Sequence, residues 1–295
     1  MSENSDQSTF QLPKLGLGCM SLPESYFAAE KVIHAAIDSG ISFFDTADLY
    51  QKGQNEVNLG KAIQSKRAQL IIATKVGNVW KSDISGWSWN PEKAYILKAV
   101  EESLRRLRTD YLDLYQLHGG TIDDPWNETL EAFELLKSQG KIRAFGISSI
   151  RPNVIRKVMT MNPPATIMMQ YNPLDRRPEE AVFPFLEKTT TRVLVRGAFA
   201  KGILIDKPVA GFLDFQKEKV TEIKAEIQRH GYSPEGVLIR FGLAEKAVSS
   251  LIIGASSVDQ IEKLKKGLEE RKAIPEALID ELKSKFSPNL YQDHR

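Results

Sequence analysis

Asp45 and Tyr50 lie close together in FDTADLY, where the apolar run ISFF stops abruptly. Lys75 closes LIIATK, and His118 closes YLDLYQLH. A carboxylate, a phenol, an ammonium and an imidazole share a chemical logic. A free phenol, with a pKa of about 10, is a weak acid at neutral pH. An adjacent ammonium favours the phenolate and makes the phenol a better proton donor. Asp45 would neutralise and position Lys75, and a neutral His118 could aim a carbonyl oxygen at Tyr50. The set suits polarising and protonating a carbonyl oxygen, provided something else attacks the carbon. Taken singly, each residue has a plainer use: Asp45 in a turn, Tyr50 at a rim, His118 as a structural imidazole. Lys75 is harder to dismiss, because an ammonium at the end of a buried strand needs a partner.

These residues need elements to bring them together. Short β-rich runs occur at LGLGCM, ISFFDTA, LIIATKV, YLDLYQLH, IRAFGIS, TIMMQY, RVLVRG and SLIIGA, eight in all. Segments with helical spacing lie between them, among them EKVIHAAIDSG, KAYILKAVEESLRRL, NETLEAFELLKSQG and VDQIEKLKKGLEERK. Gly40 and Gly140 stop two of them, while Pro91 and Pro152 open others. SPEGVLIRFGLAEKAV reads as the seventh connecting helix and PEALIDELKSKF as a terminal one. Strands alternating with helices imply parallel pairing. Eight such units predict a single (β/α)8 TIM barrel with its active site at the C-terminal ends of the strands. A doubly wound sheet is the alternative, weakened by the lack of GxGxxG after the first strand. One domain over 1–295 is expected, with a 1–12 segment and a 287–295 tail outside the barrel core. The strand ends then deliver Asp45, Lys75, His118, Ser148 with Ser149, Gln170, Arg196, and Gly254 to Ser257 around one mouth.

Composition narrows the classes. At 295 residues and 42% hydrophobic, the chain can bury a large core. A net charge of +2 argues against broad nucleic-acid or membrane-surface binding. One cysteine, Cys19, excludes an intramolecular disulfide and suits a reducing cytosol. No His/Cys cluster has ligand spacing, so no metal is expected. MSENSDQSTF has no apolar signal core, and no stretch approaches the ~20 apolar residues of a membrane span. The expectation is a soluble, cytoplasmic protein, a monomer or weak homo-oligomer.

FDTADLY followed by KGQNE, ATKVG, SLRRLRTDYLDLYQLH, GKIRAFGIS, QYNPL and IIGASS, in this order, resembles the aldo-keto reductases from about Leu15 to Lys265. LHGG, ISSIRP, DRRPEE and VRGAFAKG look closest to a bacterial branch of poorly characterised oxidoreductases. The resemblance implies hydride transfer from NADPH, with NADH possible, to an aldehyde or ketone. It makes Tyr50 the proton donor, Lys75 and Asp45 its activators, and His118 the orienter of the carbonyl. Ser148, Ser149 and Gln170 match positions that bind the nicotinamide carboxamide. Arg196 stands where better-known members stack an aromatic ring, and a guanidinium can stack too. Gly197, Ala198, Phe199 and Gly202 fill the pyrophosphate loop, Lys201 and Lys263 are either substitutes for a 2′-phosphate cation or ordinary surface lysines, and Cys19 and Met20 join the cofactor set. Gly254, Ala255, Ser256 and Gln260 align with the segment that holds the adenosine 2′-phosphate, where backbone amides can bind an anion. Familiar members carry a Lys or Arg on that segment, and this chain does not. Met20, Trp80 and Gly119 are the expected substrate contacts. Trp87 and Trp89 are as well placed to pack under a loop, and Gly119-Gly120 would leave the entrance open on their side.

Two rival readings remain: a Schiff-base aldolase with Lys75 as nucleophile, and a nicotinamide-binding, redox-sensing module with little turnover.

Overall fold

The computed structural model describes residues 11–83 and 85–295. Residues 1–10 of the expected 1–12 segment therefore lie outside the described residues. The strands are β1 (Leu15–Gly18), β2 (Phe43–Asp45), β3 (Ile71–Val76), β4 (Asn78–Trp80), β5 (Trp87–Trp89), β6 (Leu112–Leu117), β7 (Ile142–Ser148), β8 (Thr166–Gln170), β9 (Arg192–Arg196) and β10 (Val248–Gly254). Eight of them close a parallel barrel in the order β1-β10-β9-β8-β7-β6-β3-β2, with β1 also paired to β2. These eight are the runs expected from sequence. The remaining two, β4 and β5, form an antiparallel hairpin that the β-rich runs did not reveal.

Among the described residues the helices are α1 (Tyr26–Asp38), α2 (Gln54–Ile63), α3 (Lys93–Leu107), α4 (Trp126–Ser138), α5 (Pro152–Met161), α6 (Pro178–Leu186), α7 (Lys217–Gln228), α8 (Pro234–Gly242), α9 (Val258–Glu270) and α10 (Glu276–Lys285). Ser233 caps α8, accepting from the Gly236 amide. The β9-to-β10 crossover therefore holds two helices, α7 as well as the expected α8.

Strand alternation builds two cores. Phe43, Ala73, Leu114, Ala144, Met168, Leu194 and Ile252 point inward and fill the barrel. Phe44, Ile72, Tyr115, Phe145 and their like point outward under the helices. Gly16 belongs to the inner layer: a Cβ there would sit 2.8 Å from Ile252 and 2.9 Å from Phe43. The small residue makes room for the large one, as close packing of a filled barrel requires.

The 287–295 tail docks against the barrel's flank. Asn289 accepts from the Arg176 amide at 2.8 Å, and Tyr291 is buried beside Glu180. No described helix is long and apolar enough to cross a membrane. Glu226, His230 and Glu281 bring ligand-type atoms within 4.8 Å of one another where α7 meets α10. Arg229 and Lys285 already neutralise Glu226, each at 2.6 Å.

Candidate active site

Asp45 ends β2 and Lys75 lies one residue before the end of β3. Parallel register sets Lys75 beside Gln116 of β6. Lys75 Nζ donates to Asp45 Oδ2 at 2.5 Å, to the Thr46 carbonyl at 2.8 Å and to Tyr50 Oη at 3.4 Å. Gln116 Nε2 donates to the other carboxylate oxygen, Asp45 Oδ1, at 3.0 Å. Lys75 is 1% exposed, so this ion pair is out of water. Burial works against the Lys75 ammonium, but Asp45 and Tyr50 outweigh it and raise its pKa. Lys75 thus keeps its proton and has no lone pair to offer a carbonyl carbon. That argues against the Schiff-base chemistry entertained above.

Tyr50 leads out of β2 into a tight loop whose next two residues, Gln51 and Lys52, adopt left-handed φ of 50° and 54°. Non-glycine residues pay for such backbone, and two hydrogen bonds hold it in place. Thr46 donates to Asn55 at 2.7 Å, and Asn55 donates to the Cys19 carbonyl at 2.8 Å. Because Tyr50 Oη accepts from Lys75, its own O–H is left to point away from the pair.

His118 follows β6, its amide donating to the Val76 carbonyl at 2.7 Å. Its ring stands edge-on to Tyr50 with centroids 5.8 Å apart. Burial first, then the charges of Lys75 and Arg196, lower its pKa to about 3. The imidazole is therefore neutral at ordinary pH, and its Nδ1 is buried without a hydrogen-bond partner. A proton donor, a buried cation behind it and a neutral ring beside it converge on one point at the barrel mouth. That arrangement can polarise and protonate an oxygen.

On the neighbouring strands, Ser148 ends β7, Gln170 ends β8 and Arg196 ends β9. Gln170 accepts from Arg196 at 3.2 Å and donates to Asp175 at 2.7 Å, while Arg177 grips both Asp175 oxygens at 2.7 Å. Ser149 is buried and accepts from the Arg151 amide at 3.2 Å. After β9, Gly197 turns the chain with φ 67°, Ala198 and Phe199 are buried, Lys201 is exposed, and Gly202 turns again with φ 91°.

At the end of β10, Gly254 and Ser256 are exposed and Ala255 is buried. Ser257 caps α9, accepting from the Gln260 amide at 3.3 Å, and Gln260 Oε1 accepts from the Ser256 amide at 2.8 Å. This reciprocal use of a serine and a glutamine three residues on resembles a capping box. The site expected to hold an anion is thus also a helix cap.

Met20 is 66% exposed at the end of β1, but the neighbouring Cys19 thiol is wholly buried and directed at the Leu17 carbonyl. With its carbonyl also taken by Asn55, Cys19 has little to offer a cofactor. Trp80 is half-buried and donates to the Leu49 carbonyl at 3.0 Å. Gly119 and Gly120 do not open the entrance, because a Cβ at either position would lie 3.2 Å from Trp89 or 3.0 Å from Trp126. Trp89 packs there and donates to Asp124 at 3.0 Å, whereas Trp87 is 56% exposed. Gln116, Thr46, Asn55 and Asp175 were not anticipated from sequence. For Gln116 a signal existed, since it shares strand parity with Leu114 and His118.

Comparison with known proteins places the barrel in a family. The model of the aldo/keto reductase family matches residues 14–285. The uncharacterized oxidoreductase YqkF of Bacillus subtilis (strain 168) is 43% identical over 98% of this chain and 97% of its own length. The aldo-keto reductase AKR11C1 from Bacillus halodurans, in its holo form, superposes with a TM-score of 0.88 at 43% identity, covering 96% of this chain and 95% of that one. The aldo-keto reductase yakc [NADP(+)] of Schizosaccharomyces pombe is 30% identical over 65% of this chain and 60% of its own. A parallel barrel carrying these four groups, matched over nearly its whole length, makes the chain an oxidoreductase of the aldo/keto reductase family.

Proposed function

We propose that this protein reduces an aldehyde or ketone to an alcohol, with NADPH as the hydride source. The observation that carries the reading is the contact chain Asp45–Lys75–Tyr50 at the barrel mouth, with neutral His118 beside it. When bound, the nicotinamide cofactor supplies the hydride. Tyr50 Oη gives its proton to the carbonyl oxygen of the substrate. Lys75, whose Nζ lies 3.4 Å from Tyr50 Oη, stabilises the negative charge left on the phenolate. Asp45, held by Gln116, keeps the ammonium in place. The neutral imidazole of His118 orients the carbonyl oxygen toward Tyr50.

The donor set suits such a cofactor. Ser148 and Gln170 bring a hydroxyl and an amide to the side of the mouth next to Arg196, which can stack through its plane. The glycine turns at 197 and 202 permit close approach of a pyrophosphate. Gly254, Ala255, Ser256 and Gln260 would face the adenosine end through backbone amides, without a cation. A related protein described by its name as NADP(+)-linked supports NADPH over NADH. The exposed Met20 and half-buried Trp80 border the mouth on the substrate side.

The test follows nicotinamide absorbance with purified protein, a reactive aromatic aldehyde, and NADPH or NADH in parallel. Turnover with NADPH well above NADH is expected. Comparable NADH turnover would mean the cation-free β10–α9 segment does not select the 2′-phosphate. Tight NADPH binding with no turnover on any carbonyl would overturn the reductase reading in favour of a binding module.

A further inference from the structure

Three residues beyond Asp45, on the far side of the Tyr50 loop, the chain lines a second space. It is a cavity of about 260 Å³ between the β4–β5 hairpin and α3. Trp80 and Tyr95 form its apolar walls, and Asp48, Lys52, Asn78, Lys98, Glu102 and Arg106 supply its polar ones, Glu102 being taken by Arg105 at 2.7 Å. Neither Tyr50 nor His118 lines it, although Trp80, which borders the mouth, is one of its walls.

Its polar groups are unequal. Arg106 is spent on the buried Glu56 carboxylate at 2.7 Å, which Thr74 holds at 2.5 Å from behind. Lys52 and Lys98 form no ion pair among the described residues; Lys52 lies over the Trp80 ring, 5.6 Å from its centroid. Asp48 Oδ1 is buried without any hydrogen-bond partner. Burial, then Glu56, pushes the Asp48 carboxyl up to about 7, so near neutrality it is as ready to donate as to accept. A buried polar oxygen left unpaired is costly. Asp48 shares the lining with two aromatic rings and with Lys52 and Lys98, which no carboxylate neutralises among the described residues, a combination that suits a flat anion.

We propose that this cavity is a binding site for a small aromatic carboxylate, its ring between Trp80 and Tyr95, its carboxylate between Lys52 and Lys98, and Asp48 supplying a further polar contact. Occupation bears on the mouth through two links. Trp80 donates to the Leu49 carbonyl at 3.0 Å, and Lys52 sits in the left-handed pair that follows Tyr50. A ligand held by both would restrain the loop that presents the phenol.

Benzoate is the probe, titrated calorimetrically into the full chain with no nicotinamide present, so the result does not depend on the reductase reading. One saturable site is expected, weakened about tenfold or more in Lys98→Glu, with acetate binding far more weakly because it has no ring. Lys98 is exposed on α3 and away from the mouth, so Lys98→Ala should melt like the wild type and keep its turnover. Absence of benzoate binding would overturn the proposal. So would binding indifferent to Lys98→Glu, which would place benzoate at the mouth, or acetate binding equal to that of benzoate.

Discussion

Asp45 and Asp48 sit three residues apart on one loop, yet they live in opposite electrostatic worlds. Asp45 faces the barrel interior, and each of its oxygens has a partner: Lys75 at 2.5 Å and Gln116 at 3.0 Å. Asp48 faces outward into the cavity behind the hairpin, and its Oδ1 has none. Burial raises the pKa of both, but on the inner side Lys75 and Gln116 pull against it. A buried carboxylate that is fully matched holds other groups in place. One that is not matched marks a site open to a ligand or to a proton. The same loop therefore carries a fully matched carboxylate on one face and an unmatched one on the other.

The comparison can be broken from the inside outward. Tyr50→Phe removes the transferable proton while leaving Asp45 and Lys75 paired. Carbonyl reduction should fall by roughly a hundred- to ten-thousand-fold, with NADPH affinity measured by fluorescence titration nearly unchanged. Unaltered turnover would end the acid assignment. Lys75→Met makes Asp45 resemble Asp48 by stranding a buried charge. A loss of about 3–5 kcal/mol in urea unfolding is expected, together with loss of reductase activity.

Gln116→Leu strips Asp45 of its second partner and leaves the first. A charge-assisted hydrogen bond is worth about 1.5–3 kcal/mol, so the unfolding midpoint should fall, by less than for Lys75→Met. A change no larger than for an outward-facing position on β6 would mean Gln116 only fills space.

Asp48→Asn probes the outer face and carries the smallest effect. The folded-state pKa is raised from 3.8 to about 7. Ionisation of Asp48 therefore destabilises the fold. The cost is absent below about pH 4, grows between pH 4 and 7 and is complete above pH 7. The amide removes it, so the variant should gain about 1 kcal/mol over wild type at pH 8, after allowance for a partly buried side chain that can relax, and nothing at pH 4. Thermal melts at the two pH values decide this. His118 moves the other way: with its pKa held near 3, it should contribute no titration to the rate between pH 5 and 8.

Legibility differed along the chain for physical reasons. The eight barrel strands were readable because each is a short apolar run bounded by turn residues, and the order of polar residues at their ends followed from parallel closure. The hairpin was not, since three-residue strands such as Trp87–Trp89 are too short to show a period. α7 was not legible either, since KEKVTEIKAEIQ buries only three apolar side chains, Val220, Ile223 and Ile227, among charged residues. Gly119 and Gly120 suggested an open entrance, yet two tryptophans from separate elements fill the space a side chain would take. Gln260 read as a nucleotide contact, and it also serves locally as a helix cap.

The sequence by itself determined the barrel, the strand ends at which Asp45, Lys75, His118, Ser148, Gln170 and Arg196 fall, and the chemical sense of putting a phenol beside an ammonium. These depend on residue type and on distance along the chain. Only the tertiary structure decided that Lys75 makes three contacts at once, that Gln116 holds Asp45 from the next strand, that Cys19 is sealed beneath the mouth, and that Asp48 opens into a cavity of its own. Those outcomes depend on which side chains from distant segments share a volume and on which polar atoms are left without a partner once the volume is filled.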